Sequence, residues 1–152
     1  MPVYGVRPAV DSRRLWTGGA VAAIVVGGVA VICFLIVRGV LDIAVLGVDV
    51  NGGLFVPSMA GYAFVAAALT LLSTGLAHLL LVSTPRPVLF LGWIIGVCTA
   101  ISAILPFTKS APVQVQIATS LVNLIVGATI GGLVSTAATA SVRRVGSPAY
   151  PV

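Results

Sequence analysis

The 152-residue chain is 59% apolar and 7% charged, with eight basic residues against three acidic ones and a formal charge of +5. Its mean hydropathy is +1.20, whereas a soluble domain is about 45–50% apolar and about 25% charged. Three carboxylates cannot supply the solvated surface of a globule this size, which excludes a soluble domain, a disordered chain and, with only two Cys, a disulfide scaffold. The class that remains is a small integral membrane protein.

Crossing a hydrocarbon core of about 30 Å takes about 20 apolar residues in a helix, and a bilayer admits only helices or closed barrels. No apolar run alternates as a membrane barrel requires, so helices are expected. Residues 1–14 form a basic N-terminal tail. The first span runs over about 15–37, between Arg14 and Arg38. Its apolar stretch exceeds the roughly 7–15 residues of a signal-peptide core and no A-x-A-like site follows, so it is read as a retained helix. Residues 39–58 are the longest connection and contain Asp42, Asp49 and the turn-forming Asn51-Gly52-Gly53. The sequence leaves open whether this segment forms a hairpin or an interfacial cap. The second span covers about 59–82 and carries the single histidine, His78.

Pro85-Arg86-Pro87 stops that helix twice, because each ring removes an amide donor and restricts the residue before it. The tight loop predicts that spans two and three are antiparallel neighbours. The third span covers about 88–105 and is ended by Pro106; Ser110-Ala111-Pro112 suits the entry to a fourth, over about 115–140. Residues 141–152 form a C-terminal tail. The expected fold is all-α: a four-transmembrane-helix bundle with 15–140 as its membrane domain.

Basic residues set orientation. The side of the termini carries Arg7, Arg13, Arg14, Arg86, Arg143 and Arg144, and the other side Arg38 and Lys109. This excess predicts both termini in the cytoplasm of a bacterial plasma membrane. Binding of nucleic acid would need a basic patch on a soluble surface, and no domain offers one. The paired arginines of the two tails could instead meet anionic lipid. Arginine in place of lysine, with abundant Ala, Val and Gly, is what GC-rich codons produce.

Lipid tails are as apolar as leucine, so helices in a bilayer associate through close packing and interhelical hydrogen bonds. Small residues four apart allow such packing: Gly19, Ala23 and Gly27 in the first span, Gly92, Gly96 and Ala100 in the third. The fourth has the longest stripe, with Thr119, Asn123, Gly127, Gly131, Ser135 and Thr139 on one face. Leucine at Gly127 or Gly96 is expected to break the packing. Asn123 is expected to act as interhelical glue, with Thr70 and Thr99 at comparable depth as its candidate partners. The rival role is to line a polar path with Thr70, Thr74 and His78. His78 lies roughly 6 Å inside the end of the second span, as an interfacial polar group or a proton relay.

Arg38 and Asp42 would form an i, i+4 ion pair at the outer boundary if the first helix continues past Val37. Cys33 and Cys98 differ in depth by roughly 12 Å, too far for a disulfide. Trp16, Trp93, Tyr62 and Phe107 sit where interface belts are found. No carboxylate lies within a span, and no Ser–His–acid set, CxxC or phosphate loop occurs. No catalytic, cofactor-binding or metal residue is therefore assigned, and no cofactor is expected.

Several stretches occur together in order: Arg14-Leu15-Trp16 with Gly18-Gly19, Val37-Arg38-Gly39-Val40-Leu41, and His78-Leu79-Leu80-Leu81 leading to Thr84-Pro85-Arg86-Pro87. Phe90, Gly92-Trp93, Leu105-Pro106-Phe107 and the Asn123 stretch follow. Over about residues 13–142 the chain resembles a family of uncharacterised four-span actinobacterial membrane proteins, a domain of unknown function. The resemblance implies an actinobacterial plasma-membrane protein and brings no activity, cofactor or site residue. The expectation is a non-enzymatic accessory or scaffold protein, held in the lipid bilayer and packing as a homo-oligomer or within a larger membrane complex. The alternative is a small homo-oligomeric transporter or channel.

Overall fold

The computed structural model describes residues 10–48 and 53–142. Arg7, Arg143 and Arg144, with residues 1–9 and 143–152 of the tails, and the Asp49, Asn51 and Gly52 turn positions lie outside the described residues.

Helix α1 (Ser12–Phe34) starts where the Asp11 carboxylate accepts a hydrogen bond from the Arg14 amide at 3.2 Å, an N-cap that satisfies one of the orphan donors of the first turn. It runs on into π-helical turns over Leu35–Val40. Strands β1 (Gly47–Val48) and β2 (Leu54–Phe55) pair antiparallel, Gly47 opposite Phe55 and Val48 opposite Leu54. Helix α2 (Met59–Ser83) is capped by Ser58, whose hydroxyl accepts from the Gly61 amide at 3.0 Å. Helix α3 (Pro87–Ile104) begins on a proline, tolerated there because the first-turn amide has no helical partner. A 3₁₀ turn over Leu105–Thr108 follows, then helix α4 (Val113–Ser141). Among the described residues these four helices are each long and apolar enough to cross a membrane. By helix length and hydropathy this is a multi-pass membrane protein.

Within the long connection the described residues pair as the two short strands, and the segment just before them plugs the end of the bundle. Val45 is fully buried, and the Leu46 amide donates to the Thr119 hydroxyl at 3.1 Å. Thr119→Val should remove that acceptor and loosen the plug by about 1 kcal/mol. Faster hydrogen exchange at the Leu46 amide, with the helices still protected, is the expected readout.

Helix α1 packs on both α2 and α4, and α3 rests mainly on α4. The pairings run antiparallel: Gly19 sits against the Thr74 side chain, while Gly27 faces Ala63 and Ala67. At the terminal end the Asp11 amide donates to the Ser141 carbonyl at 3.0 Å, next to a Val10–Val142 bridge. The centre of the bundle is a row along α4, with Val122, Val126, Ile130, Val134 and Ala138 all buried.

Helices α2 and α3, joined by a tight loop, contact each other as expected of neighbours, and α3 packs more extensively on α4. Three expectations need correction. Gly92 and Gly96 do not pack within this chain: both are exposed, and nothing lies within 4 Å of where a Cβ would stand. Tyr62 turns into the bundle, unlike Trp16, Trp93 and Phe107, which are exposed. Arg38 and Asp42 do not share a helical face, since the helical turns end at Val40 and Asp42 takes a left-handed φ of 53°. The Arg38 guanidinium stands instead over the Phe34 ring, 5.8 Å from its centroid.

Candidate functional site

Helix α3 presents three rows of residues four apart, and each meets different surroundings. Ile95, Thr99 and Ala103 contact α4: Ile95 reaches Gly131, the Thr99 side chain covers Gly127, and the Ala103 carbonyl accepts from the Ser120 hydroxyl at 2.6 Å. On one flank, Ile94, Cys98 and Ser102 look across a gap toward α2. On the other, Gly92, Gly96 and Ala100 join Ala128, Gly132 and Ser135 of α4 in a shallow groove of about 500 Å³.

The gap is a cleft of about 620 Å³ walled by α2 and α3 and floored by α4. Hairpin residues Leu46, Gly47 and Phe55 line its end. The Phe55 ring lies over Gly47, 2.8 Å from where a Cβ would stand. Along α2 the wall extends from Ser58 to Leu76, a rise of about 27 Å. Among the described residues that line it none is charged.

The walls are mostly apolar, with Ser58, Ser73, Thr99 and Thr119 among their residues, and hold one hydrogen-bonded polar cluster. The Tyr62 hydroxyl donates to Asn123 Oδ1 at 2.8 Å, and Asn123 Nδ2 donates to the Ser102 carbonyl at 2.8 Å. A single amide thus ties α2, α4 and α3 together at one level. The Phe34 ring lies 6.1 Å from that of Tyr62, tilted by 40°. Arg38, Phe34, Tyr62, Asn123 and Ser102 therefore form a continuous chain of contacts from the hairpin end into the bundle.

The residues proposed for a polar path are not gathered in one place. Thr70 and Thr74 are fully buried, and their hydroxyls donate to the carbonyls of Ala66 at 2.8 Å and Thr70 at 2.9 Å. Such back-bonding satisfies a hydroxyl inside its own helix. Thr74 abuts Gly19 of α1, away from the cleft. His78 is half-buried near the other end of α2, with Nδ1 buried and unpartnered. Asn123 alone of the four lines the cleft. Cys33 and Cys98 are free thiols on α1 and α3.

Tyr62 is the residue that sequence reasoning missed as Asn123's partner. No local spacing links the first turn of α2 to the third turn of α4. The available signal was chemical: a buried amide needs partners, and a phenol offers a strong donor from an apolar ring.

No curated protein and no solved structure matches this chain. Residues 10–140, nearly all of the helical region just described, match the model of a family of unknown function, DUF6069, and the chain belongs to that family.

Proposed function

We propose that this is a non-enzymatic accessory protein of a bacterial plasma membrane, actinobacterial by its sequence resemblance, with both termini in the cytoplasm. It docks a transmembrane helix of a larger membrane complex in the groove between α3 and α4. The observation that carries this reading is the outward placement of Gly92, Gly96 and Gly132, each with nothing within 4 Å of a notional Cβ. Small residues on a lipid-facing helix surface allow another backbone to approach closely, which is how helices associate where the hydrophobic effect is absent. The chain itself makes no use of that surface, since α3 meets α4 along a different row. The basic residues at the terminal end, Arg13, Arg14 and Arg86 among them, support the orientation.

Leucine at Gly96 and Gly132 tests this. With open space outside both glycines, the double variant should fold with a stability change within about 0.5 kcal/mol. It should nonetheless lose a partner that co-purifies with the tagged wild-type chain. Retention of the same partner by the folded variant would overturn the reading. The rival reading, a homo-oligomeric transporter, predicts instead that wild-type chains cross-link to one another at this groove and that Asn123 and His78 variants lose flux without unfolding. The placement of Thr74 against Gly19 of α1, and of both Thr70 and Thr74 outside the cleft that Asn123 lines, weighs toward the accessory reading.

A further inference from the structure

The end of the bundle that holds the first turn of α1 and the α2–α3 loop collects Arg13, Arg14 and Arg86, all three exposed. None of them forms an ion pair among the described residues. Nor does the chain carry acids to neutralise them. Asp42 and Asp49 belong to the long connection, and Asp11, the third acid, caps α1 at the Arg14 amide. At the opposite end the Arg38 guanidinium already lies over a side chain, the Phe34 ring. The counter-charge for the three arginines must therefore come from outside the described chain.

Depth narrows the source of that charge. Helices α1 and α2 run antiparallel with Gly19 against Thr74. At 1.5 Å per residue, Arg13 and Arg14 lie about 8 Å beyond that contact and the end of α2 about 13 Å beyond it. Trp16 sits one turn inward of Arg13, 47% exposed, its ring 3.9 Å from where a Gly75 Cβ would stand. An exposed indole at the end of a span marks headgroup level. Guanidinium groups one turn beyond it meet lipid phosphates, which their planar fork can bind through two hydrogen bonds at once. A choline headgroup brings its own cation and cancels its phosphate, whereas a headgroup of net negative charge supplies what the arginines lack.

We propose that Arg13, Arg14 and Arg86 bind the phosphate of an anionic glycerophospholipid, with Trp16 against its acyl chains just below the headgroup. This site lies apart from the α3–α4 groove and does not depend on what docks there.

Native mass spectrometry of the full-length protein in mild detergent tests the proposal, with phosphatidylglycerol and phosphatidylcholine of identical acyl chains as probes. A micelle has no sides, so any effect of the arginines on orientation drops out. Phosphatidylglycerol should bind more tightly than phosphatidylcholine, with about a fivefold gain in affinity from each arginine. Arg13→Gln/Arg14→Gln/Arg86→Gln should weaken phosphatidylglycerol binding by about tenfold or more and leave phosphatidylcholine and the thermal midpoint unchanged. Arg86→Gln alone, in a loop, should show the single step should the triple variant not fold. Arg38→Gln, at the other end, should bind as the wild type does. Equal affinity of the wild type for the two lipids, unchanged binding in the folded arginine variants, or the same loss in Arg38→Gln would overturn the proposal. Displacement of the lipid by an equal concentration of glycerol phosphate would assign the arginines to a soluble anion and overturn it as well.

Discussion

Gly127→Leu should lower the stability of the purified protein by about 1–3 kcal/mol or prevent its folding, the range seen when a packed interior is overfilled. The Thr99 side chain already occupies the space that the first added carbon would take. Relief requires α3 to move away from α4, which would also stretch the Ser120 hydroxyl bond to the Ala103 carbonyl. Gly19→Leu should behave alike, because Thr74 stands against it and is fully buried. Gly96→Leu is the control: the residue is exposed with open space beyond it, and its thermal midpoint in detergent should stay at the wild-type value. Three glycines in similar-looking stripes thus divide into two that hold the bundle and one that does not. Equal loss at Gly96 and Gly127 would contradict the placement of α3.

Asn123→Leu should be the other large effect. It removes both interhelical bonds at once and leaves the Tyr62 hydroxyl without its acceptor and the Ser102 carbonyl without that donor. A loss of about 1–3 kcal/mol is expected, since bonds between membrane helices are individually worth about 0.6–2 kcal/mol and an orphaned buried group adds its own cost. Tyr62→Phe should cost less, because it deletes the donor and keeps the ring against Phe34. In Asn123→Leu with Tyr62→Phe the two effects should fall short of additivity by about 1 kcal/mol, the coupling expected of a direct contact. Strict additivity would mean that the two residues do not meet.

The spans were legible because the apolar runs are separated by strong breaks. Pro85-Arg86-Pro87 and Pro106 fall within a residue or two of the ends of α2 and α3. Which face each helix turns inward was far less legible. In a soluble helix the buried face is the apolar one; here more than one face of α4 is apolar, so the row Val122, Val126, Ile130 and Val134 carries no mark that separates it from the exposed Leu121, Leu124 and Ile125. Small residues were the remaining guide, and they mislead in α3. Gly92 and Gly96 satisfy the same spacing rule as Gly127 and Gly131, yet only the latter pair has neighbours in the fold.

The same limit hid the candidate site. A cleft arises because α3 packs more extensively on α4 than on α2, a tertiary choice that a tight loop between α2 and α3 does not reveal. Asn123 stood out as a lone polar group at membrane depth, but its partners, a phenol sixty-one residues earlier and a backbone carbonyl, have no sequence signature. The π-helical turns at Leu35–Val40 had none either, and they carry α1 past Val37 to Val40, ahead of the left-handed Asp42.

Native mass spectrometry of the protein, extracted in mild detergent from its own membrane at native expression, tests the accessory reading most directly. The reading predicts a stoichiometric foreign subunit on the wild-type chain and its absence from the folded Gly96→Leu/Gly132→Leu variant. A bare monomer, or a discrete homo-oligomer that the variant retains, would contradict it.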